Sequence, residues 1–289
     1  MTQHPKNAWY LRFNQWQRLE HITLIVSFTV LAVTGLPQKY SSQAWASTMI
    51  GGMGGIEATR LIHHAAAVIL LIGTIYHFTA VSYKIFVKRV AMTMLPSFQD
   101  AKDGLQNLAY NVGIAKRLPQ MGRYTFGEKV EYWAVVWGTV IMAITGFMLW
   151  NPIATTTVLP GQFIPAAKAA HGGEALLAVL SILTWHVYNV HLKHFNKSMF
   201  TGKLERHAME AEHPLELAAF EAGVRRPEPD AVTLRQRMRV FVPVAAVLSV
   251  ALLVGLYFFV TYEQTAITTV LTQKTEIFTP LTPTAQPVP

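Results

Sequence analysis

The chain of 289 residues contains no cysteine. That absence excludes disulfides, chain-held iron–sulfur clusters and thioether-linked haem, because all of them need cysteine sulfur. Charge is also scarce. Only 14% of the residues are Asp, Glu, Lys or Arg, against roughly 25% in an average soluble domain. Acids are the rarer sign, with 16 Asp and Glu against 24 Lys and Arg. What is abundant is apolar: 52% of the residues are hydrophobic. They gather into runs near the length of about 20 residues that crosses a bilayer. Five spans can be read, roughly Glu20–Leu36, Leu61–Tyr83, Val130–Trp150, Ala169–Val190 and Val240–Tyr262. The first is short and is expected to begin a turn earlier, near Trp16. The expected fold class is an all-α integral membrane protein, a four-helix transmembrane bundle with a fifth C-terminal transmembrane helix.

The formal charge of +8 invites a nucleic-acid reading, but its distribution argues otherwise. With the N-terminus inside, five spans leave three segments on the inner face, Met1–Leu19, Lys84–Lys129 and His191–Arg239. These hold 20 of the 24 Lys and Arg, while Lys39, Arg60, Lys168 and Lys274 fall outside. This is the positive-inside pattern of a membrane protein. The expected location is a bacterial inner membrane, with a cytoplasmic N-terminus and a periplasmic C-terminus. Met1–Arg18 lacks the order of a cleavable signal, so the first span is expected to be retained.

The loops carry weaker signals. Gly51-Gly52-Met53-Gly54-Gly55 has no preceding strand and reads as flexible packing, not as a phosphate cradle. Ser97 or Asp100 is placed to cap a short amphipathic helix through Leu105, Leu108 and Val112, lying at the membrane surface. Glu263–Pro289 holds eight Thr and four Pro. It reads either as a disordered end or as an arm that wraps an outer-face partner. The expected division is a bundle domain over 1–215, an inner-face linker over 216–239, the fifth span over 240–262 and this tail over 263–289.

Histidine carries the chemistry. Imidazole is costly in a bilayer, so repeated histidines at two depths imply a role. His63 and His77 lie 14 residues apart in the second span, about 21 Å along a helix, and His171 and His186 lie 15 apart in the fourth, about 22 Å. Fourteen residues fall within about 40° of whole turns and fifteen within about 60°, so both histidines of a helix address one side of the bundle. His63, His64 and His171 are the outer-level candidates; His21, His77 and His186 are the inner-level ones. His63 and His64 point some 100° apart, so one alone can face a given iron. The chemistry that asks for this arrangement is axial ligation of b-type haem at two levels. The competing reading for any single residue is a hydrogen bond to a neighbouring helix or a place in a water cavity.

On further motifs the chain resembles a known family. The motifs are Arg12-Phe13 with Arg18-Leu19-Glu20-His21, Arg60-Leu61-Ile62-His63, Gly122-Arg123-Tyr124-Thr125-Phe126-Gly127-Glu128-Lys129, Thr145-Gly146, His171, His186-Val187-Tyr188 and Met199-Phe200-Thr201-Gly202-Lys203. In order and spacing, over about residues 10–215, they resemble the di-haem cytochrome b subunits of bacterial respiratory oxidoreductases, in particular the gamma subunit of formate dehydrogenase. The resemblance implies two b haems, the outer on His63 and His171 and the inner on His21 and His186. It also implies a quinone or menaquinone site near the inner haem, at Tyr124, Thr125, Gly127 and Glu128. Thr125 departs from the family, where an amide side chain commonly stands. Glu128 reads as a proton acceptor or as a helix N-terminal carboxylate. Arg60 and Lys168 outside, and Arg18 inside, read as haem-propionate partners or as ordinary interface residues.

His77 is an extra inner-level histidine. Three readings of it stay open: an alternative ligand for the inner haem, a quinone-site residue, or the ligand of a third haem. The fifth span and the tail extend beyond the four-helix core. They suggest an outer-face redox partner, such as a multihaem c-type cytochrome or an iron–sulfur or molybdenum enzyme. The functional expectation is an electron-carrying subunit between quinone and that partner, not a complete enzyme alone. The alternative is a non-redox membrane anchor or assembly subunit. Metal transport is disfavoured, because the deep positions are nearly free of acids.

Overall fold

A computed structural model of the chain describes residues 8–193, 195–224 and 229–262. The Thr- and Pro-rich tail expected over 263–289 lies outside the described residues. In chain order the elements are β1 (Trp9–Leu11), α1 (Gln15–Lys39), α2 (Ala44–Gly52), α3 (Ile56–Phe86), α4 (Phe98–Asn111), α5 (Phe126–Trp150), α6 (Pro152–Val158), α7 (Phe163–Ser181), α8 (Ser198–Thr201), β2 (Lys203–Glu205), α9 (Arg206–Glu212), α10 (Pro214–Glu221) and α11 (Ala231–Thr261). The helix of α7 continues through two π-helical turns, Ile182–His186 and Tyr188–Leu192. Among the described residues, five helices are long and apolar enough to cross a membrane: α1, α3, α5, α7 with its continuation, and α11. The chain is an all-α, multi-pass membrane protein.

α1, α5 and α11 begin before their apolar stretches do, because the capping residues stand outside them. Asn14 accepts from the backbone of Gln17 at 2.9 Å, and the Gln17 side chain returns the bond. Thr125 and Glu128 form the same reciprocal cap on α5. Asp230 accepts from the N–H groups of Val232 and Thr233 at the start of α11. Such caps satisfy donors that a helix leaves open at its first turn. The residues read as a linker, 216–239, thus hold most of α10 and the first turns of α11.

α1 packs on α3 and α5 packs on α7, with α1 also against α7 and α11 laid on α3. Most of the buried contacts are small or hydroxylic, Ser27, Thr34, Thr59, Ala66 and Thr145, with Met148 and Trp150 the large buried residues at the end of α5. Small residues let membrane helices approach closely, since lipid supplies no hydrophobic drive between them. Other large side chains, Val240, Val247 and Phe258 among them, point outward as a bilayer requires.

The glycine-rich loop differs from its reading. Gly51 and Gly52 lie within α2, and only Gly54 and Gly55 take positive φ, 94° and 95°. The amphipathic helix forms as expected at α4, with Ser97 and Asp100 capping reciprocally. Asp100 also holds Lys129 of α5 at 2.7 Å, which ties the surface helix to the bundle.

The face that carries most of the cations has a core of its own. β1 pairs antiparallel with β2, Tyr10 opposite Leu204. Leu204, Met209 and Leu217 are buried together beneath Tyr10. Arg123 reaches from the approach to α5 to Glu216 at 3.0 Å and to the carbonyl of Arg12 at 2.9 Å. His213, fully buried, bonds the Gly122 carbonyl through Nδ1 at 3.0 Å. Burial holds its pKa below the ordinary imidazole value. The unfolded segment therefore binds more protons than the folded one once pH falls below about 6.5, and stability drops with it. Hydrogen exchange over residues 203–221 is expected to accelerate between pH 7.5 and 5, and His213→Gln is expected to flatten that dependence. Exchange independent of pH, after correction for its intrinsic rate, would contradict the assignment.

Candidate functional site

His63 on α3 and His171 on α7 face one another, ring centres 6.4 Å apart and planes at 66°. Each Nδ1 meets a threonine on the helix packed beside it: Thr34 on α1 at 2.9 Å and Thr145 on α5 at 2.9 Å. Both hydroxyls donate their proton within their own helix, Thr34 to the Val30 carbonyl at 2.6 Å and Thr145 to that of Ile141 at 2.7 Å. A hydroxyl has one proton to give, so each threonine accepts from Nδ1–H. The tautomer follows: Nε2 of each ring keeps its lone pair. Glycine makes the room. A Cβ on Gly35 would stand 2.9 Å from His63 Cε1, and one on Gly146 would stand 3.3 Å from the same atom of His171.

The second pair lies nearer the cation-rich face. His21 on α1 and His186, in the first π-helical turn, have ring centres 6.3 Å apart. His186 Nδ1 donates to Glu131 of α5 at 2.7 Å. Among the described residues, His21 Nδ1 is buried without a partner. The 15 residues from His171 to His186 are one more than the 14 from His63 to His77, and a shift to i→i+5 bonding in the π turns accommodates one inserted residue. Such turns often mark functional sites.

The ring spacings can be tested against a metal bound between the rings. Two metal–nitrogen bonds of about 2.0 Å, with roughly 1.1 Å from each nitrogen to its ring centre, sum to about 6.2 Å. Both pairs, at 6.4 and 6.3 Å, fit a bis-imidazole centre. Among the described residues no group of three or more His, Cys, Asp or Glu is gathered around a metal position. Two-ligand axial coordination does not require one.

The remaining expected residues divide. His64 is not in the first pair; its ring stacks on Trp150 at 3.7 Å. His77 is not in the second. Its Nδ1 meets Glu20 at 2.6 Å and its Nε2 meets the Tyr132 hydroxyl at 3.1 Å. Both nitrogens are hydrogen-bonded in this structure. Thr125 and Glu128 serve first as the cap of α5, and Glu128 also holds the buried Arg12 at 3.4 Å. Glu128 thus stands as a helix-terminal carboxylate in this structure. Tyr124 lies between two guanidinium groups, Arg12 and Arg123, each about 5.5 Å from its ring. A Cβ on Gly127 would meet Trp185 at 3.7 Å. Arg18 donates to the Phe200 carbonyl and so braces α1 against α8. Arg60 lies 3.7 Å from Glu57, one turn back on α3. Lys168 is exposed. Lys39, not singled out from the sequence, lies across Gly172 beside His171.

The fold and site are those of a multi-pass helical bundle with an imidazole pair at each of two levels. The comparisons with known proteins point the same way. No family model matches the chain. Over 210 residues it is 20% identical to the cytochrome b556 subunit of the nitrate-inducible formate dehydrogenase (Fdn) of Escherichia coli K12, covering 72% of this chain and 90% of that subunit. It is equally similar to the subunit of that description in Shigella flexneri. A second Escherichia coli K12 relative, the cytochrome b556 subunit of formate dehydrogenase (Fdo), is 22% identical over 181 residues, 62% of this chain and 77% of that one. The chain is related to the formate dehydrogenase cytochrome b subunits, as its motifs suggested.

Proposed function

We propose that this chain is the membrane cytochrome b subunit of a respiratory oxidoreductase. In this reading His63 and His171 hold one b haem, and His21 and His186 hold a second. The observation that carries it is the pair of ring spacings, each matched to a metal between two imidazoles. Haem b, when bound, supplies a one-electron iron centre at each level. The chain's own residues bind and orient it. Thr34 and Thr145 fix the first pair through neutral hydroxyls. Glu131 fixes His186 through a carboxylate, which makes that imidazole the stronger donor.

The subunit carries electrons across the bilayer between a quinone or menaquinone and a redox partner on the outer face. The quinone site is assigned to Tyr124, Thr125 and Gly127, at the start of α5 on the cation-rich face. That face is cytoplasmic by the positive-inside rule, in a bacterial inner membrane. The outer partner supplies the substrate-side cofactors, as a multihaem c-type cytochrome or an iron–sulfur or molybdenum enzyme would.

The test is a reduced-minus-oxidised spectrum with a haem-to-protein ratio on the purified full chain. Two b haems per chain are expected. A well-folded preparation without haem would overturn the reading in favour of a non-redox anchor subunit.

A further inference from the structure

The two halves of the bundle repeat one another. Glu20, His21, Thr34 and Gly35 on α1 recur as Glu131, Tyr132, Thr145 and Gly146 on α5, each 111 residues later. His63 and His77 on α3 recur as His171 and His186 on the fourth span. The contacts repeat with the residues. Thr34 to His63 matches Thr145 to His171, both 2.9 Å. Glu20 to His77, 2.6 Å, matches Glu131 to His186, 2.7 Å. The glycines after the two threonines make room for the same two imidazoles.

An exchange of the halves maps the His63–His171 pair onto itself. It maps the His21–His186 pair onto Tyr132 and His77, whose ring centres are 5.9 Å apart. That level of the bundle therefore has two equivalent positions, and only one carries two imidazoles. At the other, tyrosine stands where its counterpart has histidine. His77 is already oriented as His186 is, with Nδ1 on a carboxylate and Nε2 turned toward the second position. The phenol closes on that nitrogen at 3.1 Å. A metal between the two atoms needs about 4 Å, two bonds of about 2.0 Å.

We propose that the His77–Tyr132 position is a latent second haem site, and that Tyr132 is the residue that decides which of the two equivalent positions takes the cofactor. This rests on the cytochrome reading above. With phenol at 132, the lone pair of His77 Nε2 is used by the hydroxyl and no second nitrogen is present. With imidazole there, the position acquires the donor set of its partner.

The test is a second-site rescue in the purified full chain. His21→Ala is expected to lower the haem-to-protein ratio from two to one. Tyr132→His added to His21→Ala is expected to restore two, and His77→Ala added to both is expected to return it to one. The haem on His63 and His171 stays at one per chain throughout and reports that the bundle is folded. A ratio that stays at one after Tyr132→His, or a rescue that survives His77→Ala, overturns the proposal. If the combined variant fails to fold, His186→Ala with Tyr132→His takes its place, read by the same haem-to-protein ratio. A ratio of two supports the proposal, and a ratio of one overturns it. Wild-type protein without haem would instead sink the cytochrome reading, so the two failures are distinguishable.

Discussion

Alanine at His63 or at His171 is expected to remove one haem per chain, the same haem in each case, and the double substitution is expected to remove no more. The two ring centres are 6.4 Å apart, close to the spacing of two imidazoles on one metal. Axial ligation is a joint property of the pair, so the second deletion has nothing left to take away. Residues that act as a unit show this non-additivity in double-mutant cycles. His186→Ala is expected to behave in the same way for the other haem, jointly with His21→Ala. Substituting His77 should leave two haems per chain, since both its nitrogens are engaged by Glu20 and Tyr132. The measurement is the haem-to-protein ratio of each single and double variant. Loss of a haem on His77→Ala with retention on His21→Ala would reverse the assignment of the second pair.

Gly35→Ala is expected to evict the haem of the first pair with every ligand still in place. The added methyl would stand 2.9 Å from His63 Cε1, closer than carbon atoms approach. The ring has little freedom to retreat, because Nδ1 is anchored on Thr34, one residue before the glycine. Overpacking of this kind costs about 1–3 kcal/mol, and here it falls on the orientation of a ligand. Gly146→Ala makes the corresponding contact with His171 at 3.3 Å, which a shift of a few tenths of an ångström relieves. The expected order is therefore haem occupancy well under half for Gly35→Ala and near normal for Gly146→Ala, each measured against the intact second haem. Equal occupancy in the two variants would show that the ring spacing tolerates more than the geometry implies.

Much of this arrangement was legible in the sequence. Hydropathy places the spans, and the 14- and 15-residue spacings place the histidines at two depths. The choice among the histidines at one depth is another matter. Periodicity gives height and rotation along a single helix; it does not say which neighbour lies across the gap. His21 and His77 therefore looked alike, until Glu20 and Tyr132 proved to occupy the second of them. Nothing in the sequence marks Glu20 and Glu131 as imidazole partners, and only packing turns them toward His77 and His186. The π turns at His186 are visible in the sequence solely as one surplus residue, because a shifted backbone bond has no residue type of its own. Thr125 and Glu128 carried a capping pattern, yet the buried Arg12 that shares Glu128 is a tertiary contact.

The pairing of β1 with β2 bears on how the protein is made. Residues 9–11 find their partner strand only at 203–205, after the fourth span. A chain emerging from its N-terminus must therefore insert all four bundle helices before this latch can shut. Closure of this face, at the end of the bundle nearest His21 and His186, is thus a late step of assembly.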